Sequence, residues 1–167
     1  MIVTCKTVDS SKYTGQRGST RAEGQGFHGL CRKAGLSATR QRRAIYSALR
    51  ECGDHPTAET LYARIGGNAT GLSMATVYRN LKLFVEAGII DEVATGSSFT
   101  RYDANQAPHH HLVCKRCGSV RDYYCDALDR VGDEVGEPEG FEVQDLRVNL
   151  IGICAACRRP DDAGTTG

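Results

Sequence analysis

The sequence predicts an α+β fold, in which an N-terminal winged helix-turn-helix is followed by a small α/β unit with a four-cysteine site. Three observations support this prediction. Helical patterns and then a hairpin pattern occupy residues 27–104, strand and helix patterns follow beyond residue 105, and two Cys-x-x-Cys pairs enclose the second part. A chain of 167 residues is long enough for two small domains.

Four segments are predicted along the chain. Residues 1–26 form a flexible arm, because they are rich in Ser, Thr, Gly and Gln and show no apolar period. The winged-helix domain covers residues 27–104, the α/β domain covers residues 105–158, and a flexible tail covers residues 159–167. The sequence has no apolar stretch of about 20 residues and no secretory signal, so we expect a cytoplasmic protein that does not contact membranes.

Helix caps and apolar periods predict the elements of the first domain. Helices lie at Phe27–Ala34, from Thr39 to about Glu51, from Pro56 to about Ile65, and from Ser73 to Ala87, with a loop at 66–71. Thr39 and Ser73 are favourable N-caps, and Gly88 suits the left-handed conformation that ends the last helix. Strands at Ile89–Ala94 and Phe99–Asp103 then form a hairpin around residues 95–98.

The last of these helices has one polar face. Its predicted buried stripe is Val77, Leu81, Phe84 and Val85, and the opposite side carries Thr76, Arg79, Asn80 and Lys82, with Tyr78 at the flank. A polar helix that precedes a wing can enter the major groove of DNA. The first 95 residues hold 13 Lys and Arg against 8 Asp and Glu, which favours a polyanionic partner. The alternative is a small helical core with an ordinary solvated face.

The second domain is predicted to be a compact α/β unit of opposite charge. Residues 96–167 hold 8 Lys and Arg against 12 Asp and Glu. A strand begins at Leu112 and Val113, a second covers Val120–Tyr124, a helix covers Ala127–Val135, and a long strand with imperfect alternation covers Phe141–Ile153.

Four of the eight cysteines have the spacing of a metal site. Two residues separate the thiols of each pair, so each turn can aim both sulfurs at one ion, and two such turns complete the tetrahedral site of structural zinc. The predicted ligands are Cys114, Cys117, Cys154 and Cys157. Disulfides within the pairs are the alternative, which a reducing cytosol disfavours. The remaining cysteines lack such a spacing and are expected to be inert or buried: Cys5, Cys31, Cys52 and Cys125.

A second candidate site combines imidazoles and carboxylates. Alternate side chains of an extended segment share a face, so His109 and His111 can converge while His110 points away. The other candidates are Asp103, which is close along the chain, Asp122, which returns on the next strand, and His55, which has to reach across from the helical part. Sulfur-free ligands of this kind suit Fe(II), Mn(II) or Zn(II). A solvated surface run of histidines is the alternative.

These motifs resemble those of the ferric uptake regulator family of metal-dependent repressors over about residues 30–158. The matching segments are Ala38–Arg42, His55–Glu59, Ser73–Leu81 and His109–Cys114, with Cys117 and Gly118. The resemblance implies a homodimer with a winged helix on double-stranded operator DNA, a C-terminal dimerisation domain with structural zinc, and a second metal between the two domains. Arg40 replaces the proline that the family usually has at the start of its second helix, a position that tolerates many residues.

Within the family, the second site is similar to that of the peroxide-sensing branch. All five ligand positions carry the expected types of residue, at His55, Asp103, His109, His111 and Asp122. Ferric uptake sensors more often have glutamate at the two aspartate positions. Two histidine positions of their further site hold Pro108 and Leu146 in this chain.

The resemblance therefore implies a peroxide-sensing repressor that is not an enzyme. With Fe(II) or Mn(II) bound it occupies palindromic operators, and peroxide releases the DNA by iron-catalysed oxidation of a ligand histidine such as His55 or His109. DNA contacts are expected from Arg42, from Arg79 and Lys82 to phosphate, and from Ser73, Thr76 and Tyr78 to base edges or sugar. His28 and His110 are expected not to bind metal.

Two other functions remain open from the sequence. One is a ferric or zinc uptake repressor of the same family. The other is a mononuclear iron enzyme, because two histidines and a carboxylate also form an oxygenase site. Five protein ligands leave little open coordination for a substrate and oxygen, which argues against the enzyme.

Overall fold

A computed structural model of the chain describes residues 20–96, 99–136, 138–143 and 146–158. Most of the predicted arm, the predicted tail and the hairpin tip at residues 97–98 lie outside the described residues. The described residues divide into two compact units. The N-terminal unit contains residues 20–93 and 99–107, and the C-terminal unit contains residues 94–96 and those from 108 on. Among the described residues, no helix is both long enough and apolar enough to cross a membrane.

Helix α1 spans Thr20–Lys33 and so begins inside the segment predicted to be a flexible arm. The prediction of an arm up to residue 26 is therefore wrong for its last seven positions. The physical reason lies further along the helix, where Phe27 and Cys31 are buried in the core and anchor it. Apolar packing of one face stabilises a helix whose own composition would not predict it.

Short polar side chains cap the next two helices, of which Thr39 is the predicted cap, while the helix predicted from Pro56 begins two residues later. The Thr39 hydroxyl accepts a hydrogen bond from the Arg42 N–H at 3.3 Å and caps helix α2 (Arg40–Glu51). The Thr57 hydroxyl accepts one from the Thr60 N–H at 3.3 Å and caps helix α3 (Ala58–Arg64). Such caps satisfy backbone donors that have no acceptor within the helix and contribute about 1 kcal/mol each.

The loop that follows contains a single 3-10 turn over Gly67–Thr70. Gly67 has a positive φ of 41°, and a Cβ atom there would lie 2.9 Å from the Tyr62 ring. A Cβ atom there would require the Tyr62 ring to move, and together with the positive φ this favours glycine.

Helix α4 (Met74–Glu86) supplies the centre of the N-terminal core. The Ser73 hydroxyl caps it by accepting from the Thr76 N–H at 3.1 Å, and Gly88 follows its end with a φ of +63°. Val77, Leu81 and Phe84 are fully buried. The Phe84 ring meets Phe27 and Tyr46 edge-on, with centroid separations of 6.0 and 6.2 Å. These contacts join helices α1, α2 and α4 around one aromatic cluster.

A two-stranded wing completes the N-terminal unit. Strand β1 (Asp91–Val93) pairs antiparallel with strand β2 (Arg101–Asp103), and Asp91 lies opposite Asp103. The hairpin is confirmed, although both strands are shorter than predicted. Tyr102 is buried and its backbone N–H donates to the Pro56 carbonyl at 3.2 Å, which ties the wing to the start of helix α3.

The C-terminal unit is a three-stranded sheet with one helix. Strand β3 (His110–Cys114) is central, β4 (Val120–Tyr123) pairs with it antiparallel, and β5 (Asn149–Gly152) pairs with it in parallel. Helix α5 covers Asp126–Val135. The strands near Leu112 and Val120 and the helix are confirmed.

The predicted long strand Phe141–Ile153 is wrong. Among the described residues of this range, Asn149–Gly152 alone forms a strand, and it pairs with strand β3 from His111 to Cys114. Upstream, Pro138–Gly140 forms a 3-10 turn, and Phe141 and Val143 are exposed. Residues 144–145, where the alternation was predicted to continue, lie outside the described residues.

Replacement of Phe84 by alanine tests the packing of the N-terminal unit. We expect Phe84→Ala to lower its free energy of unfolding by about 3–5 kcal/mol, because the ring is fully buried between two other aromatic rings. Glu86→Ala, on the exposed side of the same helix, should change it by no more than about 0.5 kcal/mol. Urea unfolding followed by circular dichroism measures both, and a loss below about 1 kcal/mol for Phe84→Ala would contradict this packing.

Candidate metal centres and nucleic-acid interface

Two turns bring the four predicted zinc ligands together in the C-terminal unit. Cys114 ends strand β3, and its pairing with Gly152 at the end of β5 places the two Cys-x-x-Cys turns side by side. All four sulfur atoms lie within 4.8 Å of one another, and the Cys117 and Cys154 sulfurs are 3.8 Å apart. Zinc–sulfur bonds of about 2.3 Å in a tetrahedron set sulfurs about 3.8 Å apart. The cluster therefore fits a structural zinc ion, and all four residues are free thiols rather than disulfides.

The electrostatics of this cluster also favour a cation. The pKa of Cys114 is lowered to about 6, because the Cys154 backbone N–H donates to its sulfur at 3.3 Å and stabilises the thiolate. The pKa of Cys157 is raised to about 12, because its thiol is hydrogen-bonded to the neighbouring sulfurs of Cys117 and Cys154. The cluster therefore ionises one thiol readily and resists ionisation of another beside it. Bound Zn²⁺ would offset the repulsion between neighbouring thiolates.

The N-terminal unit places His55 against Asp103. The His55 Nε2 lies 3.7 Å from the Asp103 Oδ2, and both side chains are buried. This distance is too long for a hydrogen bond but suits two ligands of one ion, whose bonds of about 2.1 Å set donor atoms about 3 Å or more apart. The Asp103 Oδ1 accepts a hydrogen bond from the Asn105 N–H at 2.7 Å, which orients the carboxylate. We call His55 and Asp103 the helical half-site.

The C-terminal unit brings together the other three candidates. As strand alternation predicts, His109 and His111 lie on one side of their segment, with their Nε2 atoms 3.0 Å apart. Asp122 lies opposite His111 in the antiparallel register, and its Oδ1 is 3.8 Å from the His109 Nε2. Both imidazoles are buried, so these histidines are not a solvated surface run. We call His109, His111 and Asp122 the strand half-site.

The intervening histidine faces the other way, as predicted. His110 is fully buried, its Nδ1 accepts from the Val148 N–H at 3.3 Å, and its Nε2 lies 3.2 Å from the Asp129 Oδ1. Its two ring nitrogens therefore join strand β3 to helix α5 and to the segment before β5. His28 lies in the N-terminal unit, exposed, with its Nε2 2.6 Å from the Arg43 Nη2.

The remaining cysteines behave differently from one another. Cys31 is buried in the N-terminal core, and burial raises the pKa of its thiol, as expected for an inert residue. Cys52 is half-buried at the end of helix α2, with its sulfur 3.0 Å from the Arg64 Nη1. Cys125 is buried, as expected, and it is disulfide-bonded rather than a free thiol. Cys5 lies outside the described residues.

Helix α4 carries five of the predicted DNA contacts at or near its exposed side. The hydroxyls of Ser73 and Thr76 are 2.9 Å apart, so they bond to each other as well as capping the helix. Arg79 and Lys82 are exposed, and Lys82 also lies 3.8 Å from Glu86. The Tyr78 hydroxyl donates to Glu59 on helix α3, and this hydrogen bond lowers the pKa of the Glu59 carboxyl.

Two residues of this surface are placed differently from the prediction. Asn80 was expected on the polar side of helix α4 but is buried, and its side-chain amide donates to the Thr76 carbonyl at 2.7 Å. Arg42 was expected to contact DNA, but its side chain is half-buried. Its Nε donates to the Asn80 Oδ1 at 3.1 Å and its Nη1 to the Ser37 carbonyl at 2.7 Å, so the side chain joins helix α2 to helix α4.

The chain combines a winged helix with a four-thiol zinc cluster and with histidine and aspartate ligands for a second metal. This combination defines the class of metal-responsive transcription regulators. Comparison with known proteins agrees with this class. The sequence model of the ferric uptake regulator family matches residues 33–151, and the chain belongs to that family.

Proteins similar to this chain include peroxide regulators. The chain is 35% identical over 127 residues to the peroxide-responsive repressor PerR of Staphylococcus epidermidis, covering 76% of this chain and 85% of that protein. It is 33% identical over 131 residues to the peroxide operon regulator of Bacillus subtilis, covering 78% and 90%. The crystal structure of the Campylobacter jejuni peroxide stress regulator superposes with a TM-score of 0.63 at 28% identity, covering 80% and 97%. The resemblance to the family and to its peroxide-sensing branch is thus confirmed.

The zinc cluster leads to a prediction about pH. At pH 8 the Cys114 thiol is ionised and the Cys157 thiol is protonated, because their pKa values of about 6 and about 12 lie on either side. Zinc binding should therefore release protons, and zinc affinity should fall as the pH drops through 6 and protons compete for Cys114 as well. Competition with a chromophoric chelator between pH 5.5 and 8, and calorimetry in buffers of different ionisation enthalpy, measure this. An affinity that does not change with pH would contradict it.

Proposed function

We propose that the protein is a metal-dependent transcriptional repressor that senses peroxide. It binds palindromic operators as a homodimer when Fe(II) or Mn(II) is bound, and it leaves the DNA when peroxide oxidises a ligand histidine. The observation that carries this proposal is the set of three histidines and two aspartates in the two half-sites, which are buried or half-buried and contain no sulfur. The similarity to peroxide-responsive repressors supports it.

A single ion bound by both half-sites accounts for this ligand set. The helical half-site offers two donors and the strand half-site three, and neither number alone completes the coordination of a divalent transition metal. Only residues 104–108 separate Asp103 from His109 in the sequence. The Cα atoms of Asp103 and His109 therefore cannot lie further apart than about 22 Å. This short tether gives the two half-sites a high effective concentration for one ion.

The ion would then control the angle between the winged-helix domain and the second domain. Metal binding favours one arrangement only to the extent that the five ligands bind more tightly in that arrangement. His55 and Asp103 contribute the ligands of the first domain, and the strand half-site contributes those of the second. Bound ferrous iron would catalyse the transfer of one oxygen atom from peroxide to a ligand histidine, with release of water, and a zinc-loaded site lacks this redox chemistry. Oxidation of His55 or His109 removes a ligand and with it the preference for the DNA-binding arrangement.

The exposed residues of helix α4 are the proposed reading surface. Arg79 and Lys82 contact phosphates, and Ser73, Thr76 and Tyr78 lie near base edges or sugars. The Glu59 carboxylate orients the Tyr78 hydroxyl. Arg42 supports this surface through Asn80 and Ser37, and a contact to DNA would have to come from the part of its guanidinium that these bonds leave available.

An exposed sheet edge supports the homodimer. Strand β5 lies at the edge of the sheet formed by the described strands, and all four of its residues are exposed. Leu150 and Ile151 leave 38% and 65% of their surface accessible. An apolar edge strand is a template for pairing with another chain, and a second copy would place two recognition helices on the two halves of a palindrome.

Removal of the His55 imidazole tests the metal-dependent switch. We expect His55→Ala to weaken Mn(II) binding by more than about 100-fold and to abolish the Mn(II)-dependent part of DNA affinity, while the zinc content and the dimer are retained. The probe is a duplex that the Mn(II)-loaded protein selects from a random-sequence pool, and binding is measured by gel shift with and without Mn(II). The matched control is His28→Ala, an exposed histidine outside both half-sites. Equal stimulation of His55→Ala and wild type by Mn(II) would refute the switch.

Peroxide treatment tests the sensing chemistry. The Fe(II)-loaded protein should release the selected duplex when peroxide is added and should gain 16 mass units, the mass of one oxygen atom, on a peptide that contains His55 or His109. The Mn(II)-loaded protein should keep the DNA. Equal release from both forms would show that release does not depend on iron and would contradict the proposed chemistry. DNA binding that requires Zn(II) and does not change with peroxide would indicate a zinc uptake repressor instead.

A further inference from the structure

The backbone at His55 has an uncommon conformation. Its φ is +48°, in the left-handed region that residues other than glycine seldom occupy. The next residue is Pro56, and the ring of a proline pushes the residue before it towards extended conformations. The segment would therefore relax if nothing held it, since such conformations persist only where surrounding contacts impose them.

Three contacts within the N-terminal unit impose it. The Arg101 Nη1 donates a hydrogen bond to the His55 carbonyl at 2.8 Å. The Tyr102 N–H donates to the Pro56 carbonyl at 3.2 Å. On the other side, the Arg64 guanidinium donates two hydrogen bonds to the Asp54 carboxylate, at 2.7 and 2.6 Å. Arg101 is the one of these three that binds the backbone of His55 itself.

Strand β2 directs Arg101 and Asp103 to the same residue. Side chains two positions apart on a strand project from the same face. Arg101 thus binds the His55 carbonyl while the Asp103 Oδ2 faces the His55 imidazole at 3.7 Å. One three-residue strand therefore controls both the backbone and the side-chain surroundings of this histidine.

We propose that Arg101 is a positioning residue for His55, and that it acts by holding the left-handed backbone conformation in which the imidazole meets Asp103. This inference rests on the proposed role of His55 as a metal ligand. Without the guanidinium, the His55 carbonyl loses its charged donor and the segment relaxes towards the extended conformation usual before proline. The imidazole then leaves Asp103, and the helical half-site has to be re-formed each time a metal binds.

The test is the Mn(II) affinity of the zinc-loaded, full-length protein, measured by electron paramagnetic resonance of free Mn(II). Arg101→Met should weaken Mn(II) binding about 10- to 100-fold, the range typical of residues that orient a metal ligand. Zinc content and melting temperature should stay close to those of the wild type. Arg101→Lys keeps a donor that can reach a carbonyl and should weaken binding less than Arg101→Met. The matched control is Arg121→Met. Arg121 is an exposed strand arginine beside Asp122, a proposed ligand. The Arg121→Met protein should bind Mn(II) as the wild type does.

A double-mutant cycle separates positioning of His55 from a general structural role. In a His55→Ala background, Arg101→Met should have no further effect on Mn(II) affinity, because the ligand that it positions is gone. Additive losses, or wild-type affinity in Arg101→Met, would overturn the role of Arg101 and leave His55 as a ligand. If His55→Ala itself binds Mn(II) normally, the proposed ligand role fails and the positioning role fails with it. If Arg101→Met does not fold, Arg101→Lys in both backgrounds supplies the same comparison.

Discussion

The alternation of side chains from His109 through strand β3 is the constraint on which both candidate metal centres depend. His109 and His111 fall on one face and converge to 3.0 Å, while His110 falls on the other and bonds to Val148 and lies beside Asp129. The same strand ends in Cys114, which begins the zinc cluster. Because a shift of one residue in the pairing of β3 would exchange its two faces, the register that holds the thiols together also selects which histidines can bind the second metal.

The parts of the fold that local chemistry controls could be predicted from the sequence. Thr39 and Ser73 cap the helices that they were predicted to begin, and the Cys-x-x-Cys spacing led to a cluster with the sulfur separation of zinc sites. The alternate histidines and the return of Asp122 opposite His111 also follow from strand geometry alone. In each case the relevant residues are within a few positions of one another or on directly paired strands.

Features that depend on distant contacts could not be predicted. The polar residue Asn80 is buried because Arg42, 38 positions away, binds its side chain, and a helical pattern contains no information about such a partner. Strand β5 covers only the four residues that pair with strand β3, a limit that its own alternation does not show. The left-handed backbone of His55 is imposed by Arg101, 46 positions along the chain. Positive φ at a residue other than glycine leaves little trace in a single sequence, and Pro56 immediately after the histidine favours the opposite, an extended conformation.

The central claim is that one ion takes ligands from both half-sites. The most direct test counts the imidazoles bound to Mn(II) in the zinc-loaded, full-length protein, by electron spin echo spectroscopy of the ion with one equivalent added. Ligation by His55, His109 and His111 predicts three coordinated imidazole nitrogens in the wild type and two in His55→Ala. A wild-type spectrum with two imidazoles that is unchanged in His55→Ala would show that the helical half-site does not bind the ion, and would contradict the account.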